Sequence, residues 1–332
     1  MKAYIKAISY CLPSKVITNE DLEKEFPDWS SEKIGKKIGI FERHIVAENE
    51  LSSDLGIAAA ERLFDEYRIN PKDIDFLLFC TQSPDYFLPT TSCLMQTKLG
   101  LSTSCGALDY NLGCSGFIYG LALAKSLVIS EIANNVLLIT AETYSKFIHK
   151  NDKGNKAIFG DAAAATLISS SGKAEIGNFS LGTDGRGANN LIVRNGGMRF
   201  PYRDGIVETS EDGQIRSNDH LFMDGPEIFN FTIEAVPPLV QATLDKNTLQ
   251  KEDIDFFVFH QANKYILDYL RKKIAIPEDK FVYCLEQFGN TVSSTIPIAL
   301  YETEKNNPSM GKVLLVGFGV GYSWGGTVLT YL

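Results

Sequence analysis

Two segments of this chain repeat one another about 180 residues apart. Residues 72–82 read KDIDFLLFCTQ and residues 252–262 read EDIDFFVFHQA, so each places Asp-Ile-Asp before a run of bulky apolar residues. A second pair of apolar runs, NNVLLIT near Val136 and GKVLLVG near Val313, is separated by a nearly equal interval of 177 residues. Because unrelated matches would not keep their spacing, the pattern indicates an internal duplication.

The apolar runs are typical of strands buried on both faces, as in a sheet covered by helices. Helical patterns lie between them, for example SDLGIAAAERLFDEY, with Ser53 and Asp54 as cap candidates. Alternating strands and helices predict an α/β fold with mostly parallel sheets, built as two stacked halves with a site between them. We expect the halves at residues 1–172 and 173–332, with an irregular or hairpin insertion at residues 183–220.

Composition excludes several classes of protein. The chain is 44% hydrophobic and 22% charged, enough for a sizeable core, and its net charge of −9 argues against nucleic acid as a partner. The N-terminus does not resemble a signal peptide, and no apolar stretch reaches the ~18 residues of a membrane helix, which predicts a cytoplasmic protein. The six cysteines form no CxxC pair and no zinc-ligand spacing with histidine, so we expect neither disulfides nor a metal site.

Cys114, in NLGCSGF, lies at a predicted strand-to-helix junction between Gly113 and Gly116. A thiol in the first turn of a helix feels unpaired N–H groups and the positive end of the helix dipole, which favour the reactive thiolate. The same residues are also compatible with a packed junction cysteine between two convenient glycines. This stretch alone leaves the two interpretations equal.

His260 and Asn290 favour the interpretation of Cys114 as a nucleophile over that of a packed junction cysteine. Of the four histidines only His260 ends a predicted buried strand, and strand ends are where sites form in α/β sheets. The repeat places Cys80 at the same position of the first half, so the strand itself does not require histidine. Asn290, in FGN, falls 176 residues after Cys114 and should occupy the matching junction of the second half, where it acts either as a polarising donor or as a helix N-cap.

The sequence GFGVGYSWGG, residues 317–326, follows the last apolar strand. Its glycines permit a loop whose N–H groups converge on one oxygen. A plain glycine-rich bend in a terminal hairpin is the alternative. A dinucleotide site is disfavoured because no helix with an acidic ribose ligand follows.

The segments GCSGF, HQAN, GNT and GFGVGYSWG, in this order and spacing, resemble the condensing enzymes of the thiolase superfamily, and above all the β-ketoacyl-acyl-carrier-protein synthase III family. GIFERHI at residues 39–45 and IFGDAAAATLI at residues 158–168 also match family segments. The resemblance runs from Met1 to Leu332. It implies a thiolase-like five-layered α-β-α-β-α fold, duplicated within the chain, in a homodimer.

The resemblance also implies a catalytic triad of Cys114, His260 and Asn290. Cys114 takes an acyl group from a thioester, and a malonyl thioester then decarboxylates and attacks that group, giving a 3-oxoacyl thioester and CO2. His260 and Asn290 stabilise the enolate oxygen. The acyl oxyanion is held by backbone N–H groups of Cys114 and of the glycine loop, residues Gly319, Val320 and Gly321. No metal or redox cofactor is needed; the substrates are acyl-coenzyme A or acyl-carrier protein, and malonyl-carrier protein.

Several positions depart from the family pattern. Lysines stand where the family carries a Trp and two Arg that bind the adenine end of coenzyme A, and lysine cannot stack as they do. The resemblance therefore leaves coenzyme A or a carrier protein open as the donor. The pocket-gating residue lent by the partner subunit falls on or near Phe87. The substrate-binding positions are thus Lys33, Lys37, Lys153, Phe87 and Asn263, and the positions for docking an acidic carrier protein, or alternatively a solvated helix end, are Lys264, Arg271, Lys272 and Lys273.

Three other functions compete with decarboxylative condensation in fatty-acid or related acyl-chain synthesis. The lysine substitutions suggest an acyltransferase or secondary-metabolite synthase that uses Cys114 with another donor or acceptor. A papain-type Cys-His-Asn hydrolase shares the residue order, but its cysteine lies near the start of a secreted chain. A non-catalytic chain-length subunit would have lost the nucleophile, and this chain keeps Cys114.

Overall fold

The structure is a computed structural model that describes residues 2–209 and 215–332. Within them, the apolar runs recognised in the sequence form extended strands. The strands are β1 Tyr4–Cys11, β2 Lys15–Thr18, β3 Glu42–Ile45, β4 Phe76–Cys80, β5 Gly106–Tyr110, β6 Asn135–Glu142, β7 Ala162–Ser169, β8 Ala174–Ile176, β9 Ser180–Thr183, β10 Leu191–Ile192, β11 Glu208–Thr209, β12 Ile215–Arg216, β13 Phe222–Met223, β14 Phe256–Phe259, β15 Lys312–Gly319 and β16 Ser323–Tyr331.

Helices fill the intervals between the long strands. They are α1 Asn19–Glu25, α2 Ser31–Ile38, α3 Ser52–Tyr67, α4 Thr91–Lys98, α5 Gly116–Ile129, α6 Lys153–Ile158, α7 Gly225–Lys246, α8 Lys264–Ile274 and α9 Thr295–Asn306. The cap of α3 differs from the expectation. Leu51 is the N-cap residue, and its N–H donates to the Asp54 carboxylate at 3.0 Å, so Asp54 contributes from inside the first turn.

The two repeats occupy equivalent places in the sheets. β4 pairs in parallel with β6 and β14 pairs in parallel with β15, and in each case the register joins the residues found in the repeat, Phe76 with Val136 and Phe256 with Val313. β6 then pairs antiparallel with β7, and β15 with β16. The shared order and register confirm that both halves are built on one plan.

Side chains alternate between two cores along each central strand, as the period of a pleated strand requires. Leu314 and Val316 of β15 face α7 and α8, whereas Val313 and Leu315 face the interior with α5 and α9. In the first half the outer core packs under α3 and α4. The order is α3/α4, sheet, α5/α9, sheet, α7/α8, which confirms the expected five-layered α-β-α-β-α fold.

The short strand β8 connects the two sheets. It pairs antiparallel with β1 through Tyr4 and Glu175 and with β16 through Leu329 and Ile176, so the strands form one continuous sheet, β14-β15-β16-β8-β1-β7-β6-β4-β5. The division between residues 172 and 173 falls between β7 and β8. It stays a prediction, because β8 pairs with strands of both halves.

The segment 183–220 contains short two-stranded pairings, β10 with β13 and β11 with β12, in agreement with the predicted insertion. Its residues 210–214 lie outside the described part of the chain. Within residues 2–209 and 215–332, no helix is long and apolar enough to cross a membrane.

Candidate active site

Cys114 lies in the turn that links β5 to α5. The turn is closed by a 2.7 Å hydrogen bond from the Gly116 N–H to the Gly113 carbonyl, and the helix begins at Gly116. The thiol therefore precedes the helix by two residues, and the expectation that it lies in the first turn is wrong by that much. A Cβ atom on Gly113 would stand 2.6 Å from Gln82 Oε1 and 2.8 Å from Val320 Cγ1, so any larger residue would displace these side chains.

The glycine-rich segment forms the turn of the β15–β16 hairpin and lies against the turn that carries Cys114 (the Cys114 turn). A Cβ atom on Gly319 would stand 2.8 Å from the Cys114 Cβ and 3.0 Å from its Sγ. The hydroxyls of Ser115 and Ser323 share a buried 2.6 Å hydrogen bond that ties the two turns together. The segment is thus a terminal hairpin bend that lies against Cys114, and the convergence of its N–H groups on one oxygen stays a prediction.

His260 follows β14 directly and is 2% exposed. Its N–H continues the sheet by donating to the Val316 carbonyl at 2.8 Å. The ring Nδ1 lies 2.7 Å from Thr295 Oγ1, and the Phe318 ring packs edge-on at 5.5 Å. Burial lowers the pKa of His260 to about 3, so the imidazole is neutral at physiological pH.

Asn290 is held on both sides of its peptide by the segment IFGD. Its N–H donates to the Ile158 carbonyl at 2.8 Å, and its carbonyl accepts from the Gly160 N–H at 3.1 Å. The side-chain Oδ1 accepts from the Val292 N–H at 2.9 Å. Because α9 is preceded by Ser294 at the cap position, the N-cap alternative for Asn290 is wrong. With Oδ1 occupied, the amide Nδ2 is the donor this side chain offers.

The three side chains converge around Val292. Val292 packs in the same buried apolar cluster as Cys114, and its Cγ1 would lie 3.3 Å from a Cβ atom on Gly113. Its N–H donates to Asn290 Oδ1, and its carbonyl lies 3.1 Å from Thr295 Oγ1, which lies 2.7 Å from the His260 ring nitrogen Nδ1. The duplication therefore brings together the residues expected at the two matching junctions and at the end of β14.

Sequence reasoning missed Glu142, a fully buried carboxyl at the end of β6. It accepts hydrogen bonds from the Gln82 N–H at 3.0 Å and the Ser293 hydroxyl at 3.1 Å. Burial raises the pKa of Glu142 to about 8 in spite of these bonds. A carboxylate that ends an apolar strand run, as in VLLITAE, is the signal that could have pointed to it.

Burial also raises the pKa of the Cys114 thiol, and the nearby Glu142 charge acts in the same direction, while the Cys114 backbone N–H lowers it. The resting sulfur is therefore the neutral thiol. This outcome differs from the thiolate expected from the helix dipole, because Cys114 is 6% exposed and lies outside the helix.

The expected coenzyme A positions carry lysines in different settings. Lys33 and Lys37 are exposed on α2 and make no ion pair within the described residues. Lys153 begins α6, and its ammonium pairs with Asp28 at 2.6 Å. Phe87 is 78% exposed and lines a cavity of about 960 Å³ whose wall also includes Tyr144.

The expected docking cations are mostly engaged within the protein. Lys264 pairs with Asp268 at 2.8 Å, and Lys273 donates to the Ile233 carbonyl at 2.7 Å. Arg271 pairs with an exposed glutamate, Glu278, at 3.2 Å. Within the described residues, only Lys272 of the four is exposed without an ion pair or side-chain hydrogen bond.

Asn263, the remaining expected substrate contact, is the N-cap residue of α8. Its Oδ1 accepts from the Ile266 N–H at 2.9 Å. This bond leaves the Asn263 amide group as its free donor. In the described parts of the chain, no three His, Cys, Asp or Glu side chains are grouped as metal ligands would be.

Comparison with known proteins gives one consistent result. Residues 108–185 match the family model described as 3-oxoacyl-[acyl-carrier-protein (ACP)] synthase III, and residues 244–331 match the model of its C-terminal part. The chain is 38% identical over 333 residues to a β-ketoacyl-[acyl-carrier-protein] synthase III of Campylobacter concisus, covering 99% of this chain and 97% of that protein. It is 37% identical to one of Caldanaerobacter subterraneus, covering 96% and 95%.

Solved structures agree. A crystal structure of a 3-oxoacyl-(acyl-carrier-protein) synthase III superposes with a TM-score of 0.96 at 45% identity, covering 100% of both chains. A 3-oxoacyl-(acyl-carrier-protein) synthase from Burkholderia xenovorans superposes with a TM-score of 0.90 at 36% identity, covering 100% of this chain and 94% of that one. Because the similarity covers the whole chain and includes the turns that carry Cys114, His260 and Asn290, this protein belongs to the 3-oxoacyl-[acyl-carrier-protein] synthase III family.

Proposed function

We propose that this protein catalyses acyl transfer to Cys114 followed by decarboxylative condensation with a malonyl thioester on acyl-carrier protein. The products are a 3-oxoacyl-carrier protein and CO2. The observation that carries the proposal is the convergence of a buried thiol, a neutral buried imidazole and an amide donor around Val292. Such a set can hold an acyl group on sulfur and stabilise negative charge on a second carbonyl oxygen without any resident ion.

In the first half-reaction the Cys114 sulfur attacks the carbonyl carbon of an acyl thioester. The bond from that carbon to the donor sulfur breaks, and the thiol proton ends on the released donor thiol. The backbone N–H of Cys114 and one from the loop Gly319–Gly321 would stabilise the tetrahedral oxyanion. The close approach of Gly319 to the Cys114 sulfur supports this arrangement, since any side chain there would occupy the space of the acyl group.

In the second half-reaction the malonyl carboxylate leaves as CO2, and its bonding electrons form an enolate on the thioester. His260 and Asn290 would donate to the enolate oxygen. Two observations support this role: Asn290 Oδ1 is already bonded, which leaves Nδ2 to donate, and the pKa of His260 is lowered, which keeps the ring neutral. The enolate carbon then attacks the acyl group on Cys114 and frees the sulfur.

The acyl donor is the finer part of the proposal. Lys153 is paired with Asp28, and Lys33 and Lys37 offer phosphate contacts but no flat surface for adenine. These features favour a carrier-protein thioester over coenzyme A as donor. They also support the second candidate, a related condensing enzyme or acyltransferase of a secondary pathway with another donor or acceptor. Lys272 is the one expected docking cation available to an acidic carrier protein.

We further propose a cytoplasmic homodimer in which the loop around Phe87 reaches the partner's acyl pocket. Tyr86, Phe87 and Leu88 are 61%, 78% and 82% exposed, an arrangement that is unfavourable unless another surface covers them. Leu108 on the edge strand β5 is 46% exposed as well. Both features lie on the side of the chain that holds the cavity mouth and the edge of the sheet.

The test offers the purified enzyme a panel of acyl-coenzyme A and acyl-carrier-protein donors and measures its intact mass. We expect one acyl group to add, to be lost in Cys114→Ala and to be retained in Cys93→Ala, whose thiol is exposed and remote in sequence. Addition of malonyl-carrier protein with a labelled carboxyl should then release labelled CO2. An acyl group that persists in Cys114→Ala, or acylation without CO2 release, would contradict the proposal.

A further inference from the structure

A short turn, residues Val292–Ser294, lies between Asn290 and α9 and carries a strained backbone. Val292 has φ +56° and is completely buried. A β-branched residue rarely adopts this left-handed conformation, which costs on the order of 1–3 kcal/mol. The surrounding contacts must therefore hold the turn in place, and strain of this kind often accompanies a functional geometry.

The backbone groups of Val292 lie close to both proposed enolate donors, Asn290 and His260. Its N–H donates to Asn290 Oδ1 at 2.9 Å. Its carbonyl lies 3.1 Å from Thr295 Oγ1, and the same Oγ1 lies 2.7 Å from His260 Nδ1. Val292 thus holds Asn290 directly, and Thr295, which lies between the Val292 carbonyl and the ring, holds His260. A rotation of Val292 out of its positive φ would redirect its N–H and carbonyl and break both contacts.

The turn is anchored to the other half of the chain. Ser293 donates its hydroxyl to Glu142 Oε1 at 3.1 Å, and Glu142 is held in turn by the Gln82 N–H. Ser293 and Glu142 are both buried, so the loss of either partner would leave an unsatisfied buried group on the other. Glu142 ends β6, whose pairing with β4 and β7 makes it a rigid support.

We propose that the Val292 turn, anchored to Glu142 through Ser293, positions His260 and Asn290 for enolate stabilisation, with Thr295 as the positioning residue of His260. This inference rests on the roles proposed above for His260 and Asn290. A neutral imidazole donates from Nε2 only when Nδ1 accepts, so the proposal places the one Thr295 hydroxyl proton on the 2.7 Å contact with Nδ1 and leaves the Nε2–H for the substrate. The bond to Oδ1 fixes the orientation of the Asn290 amide and directs Nδ2 toward the substrate as donor.

The two half-reactions depend on this turn to different extents. Acyl transfer uses the Cys114 sulfur and backbone N–H groups, which the Cys114 turn and the β15–β16 hairpin supply. Decarboxylation uses the side chains of His260 and Asn290, whose orientations the Val292 turn fixes. A defect in the turn should therefore lower the rate of CO2 release far more than the rate of acylation, because misplaced donors lose transition-state stabilisation.

The test compares Thr295→Val, Thr295→Ser and Ser293→Ala with wild type in both half-reactions. Acylation is followed by intact mass, and decarboxylation by labelled CO2 from malonyl-carrier protein. We expect Thr295→Val and Ser293→Ala to slow CO2 release by about 10-fold or more, equivalent to ~1.4 kcal/mol, with acylation changed less than about 3-fold. Thr295→Ser keeps the hydroxyl and should restore the wild-type ratio of the two rates.

Thr303→Val is the matched control. Thr303 is a buried threonine of the same helix, and its hydroxyl donates to the Ala299 carbonyl without contacting the turn. It should lower the thermal unfolding temperature without altering the ratio of the rates.

The outcomes separate the two proposals. Equal loss of both half-reactions in Thr295→Val, or no rescue of the ratio by Thr295→Ser, would overturn the positioning role while leaving the proposed reaction intact. Wild-type enzyme that is acylated but releases no CO2 would overturn both.

Discussion

Gly319 and Cys114 are in direct contact across the two halves of the chain. Their backbones approach so closely that a Cβ atom on Gly319 would stand 3.0 Å from the Cys114 Sγ and 3.7 Å from its backbone N. The hairpin of the second half thus forms one wall of the space in which an acyl group on the sulfur must fit. Glycine at residue 319 is required by proximity to the nucleophile.

Gly319→Ala should abolish acylation while the protein still folds. The added methyl group would contact Cys114 Cβ and Sγ inside ordinary van der Waals distance, and relief would displace the thiol or the hairpin. We expect the acylation rate, measured by intact mass, to fall by ~100-fold or more. Gly185→Ala, where an added Cβ has no neighbour within 4 Å, should acylate like wild type. Normal acylation of Gly319→Ala would contradict the oxyanion and packing roles of this loop.

Glu142 should make stability fall as pH rises. Burial raises its pKa from 4.5 to about 8, so between these values the folded state binds a proton that the unfolded state has lost. In that window the free energy of unfolding decreases with pH by up to ~1.4 kcal/mol per pH unit from this group. Glu142→Gln resembles the protonated carboxyl and removes this group's contribution to the pH dependence of the unfolding free energy. We expect urea melts at pH 6 and pH 8.5 to show the variant gaining stability relative to wild type at the higher pH.

The contrary result for Glu142 is equally clear. If the difference in unfolding free energy between Glu142→Gln and wild type stays constant from pH 6 to pH 8.5, the carboxyl is ionised throughout. Thr303→Val, which alters a buried side chain without a titratable group, is the control and should show no such trend.

Arg43 should contribute strongly to stability through neutral partners. It is 1% exposed, and its guanidinium donates to the Ile17 carbonyl, Asn19 Oδ1 and the Ala157 carbonyl at 3.2, 2.8 and 2.8 Å. Burial lowers its pKa to about 10. Lysine cannot reach three separated acceptors, so Arg43→Lys should lower the free energy of unfolding by about 2–4 kcal/mol, measured by urea denaturation.

Arg186→Lys is the matched control for Arg43, because the Arg186 side chain is 91% exposed and should tolerate the exchange within about 0.5 kcal/mol. If both variants unfold at the same urea concentration, the buried guanidinium contacts do not stabilise the fold.

The architecture could be predicted from the sequence because it repeats. Phe76 and Val136 correspond in the repeat to Phe256 and Val313, and the structure pairs the first two in the register of β4 on β6 and the second two in the register of β14 on β15. The duplication likewise placed Cys114 and Asn290 at matching junctions, and the position of His260 at a strand end indicated its importance. The predicted helix ends were less accurate. At α3, Ser53 and Asp54 were expected as cap residues, but both lie inside the helix and Leu51 is the N-cap residue.

The parts that sequence reasoning missed depend on contacts between distant segments. Glu142 and Ser293 lie 151 residues apart, and no local sequence pattern at either residue predicts the hydrogen bond between them. The positive φ of Val292 follows from hydrogen bonds made by its neighbours rather than from its own preference, which is for extended backbone. The expected docking cations Lys264 and Lys273 are engaged within the protein, and the sequence alone does not show their partners.

The central layer of α5 and α9 lies between the two sheets and packs against both. A protein cut at the link between β7 and β8 would expose one face of a sheet and the buried side of a central helix in each fragment. Such fragments would aggregate or pair with each other. Each half therefore serves as the cover of the other, and neither sheet is complete as a folding unit without its counterpart.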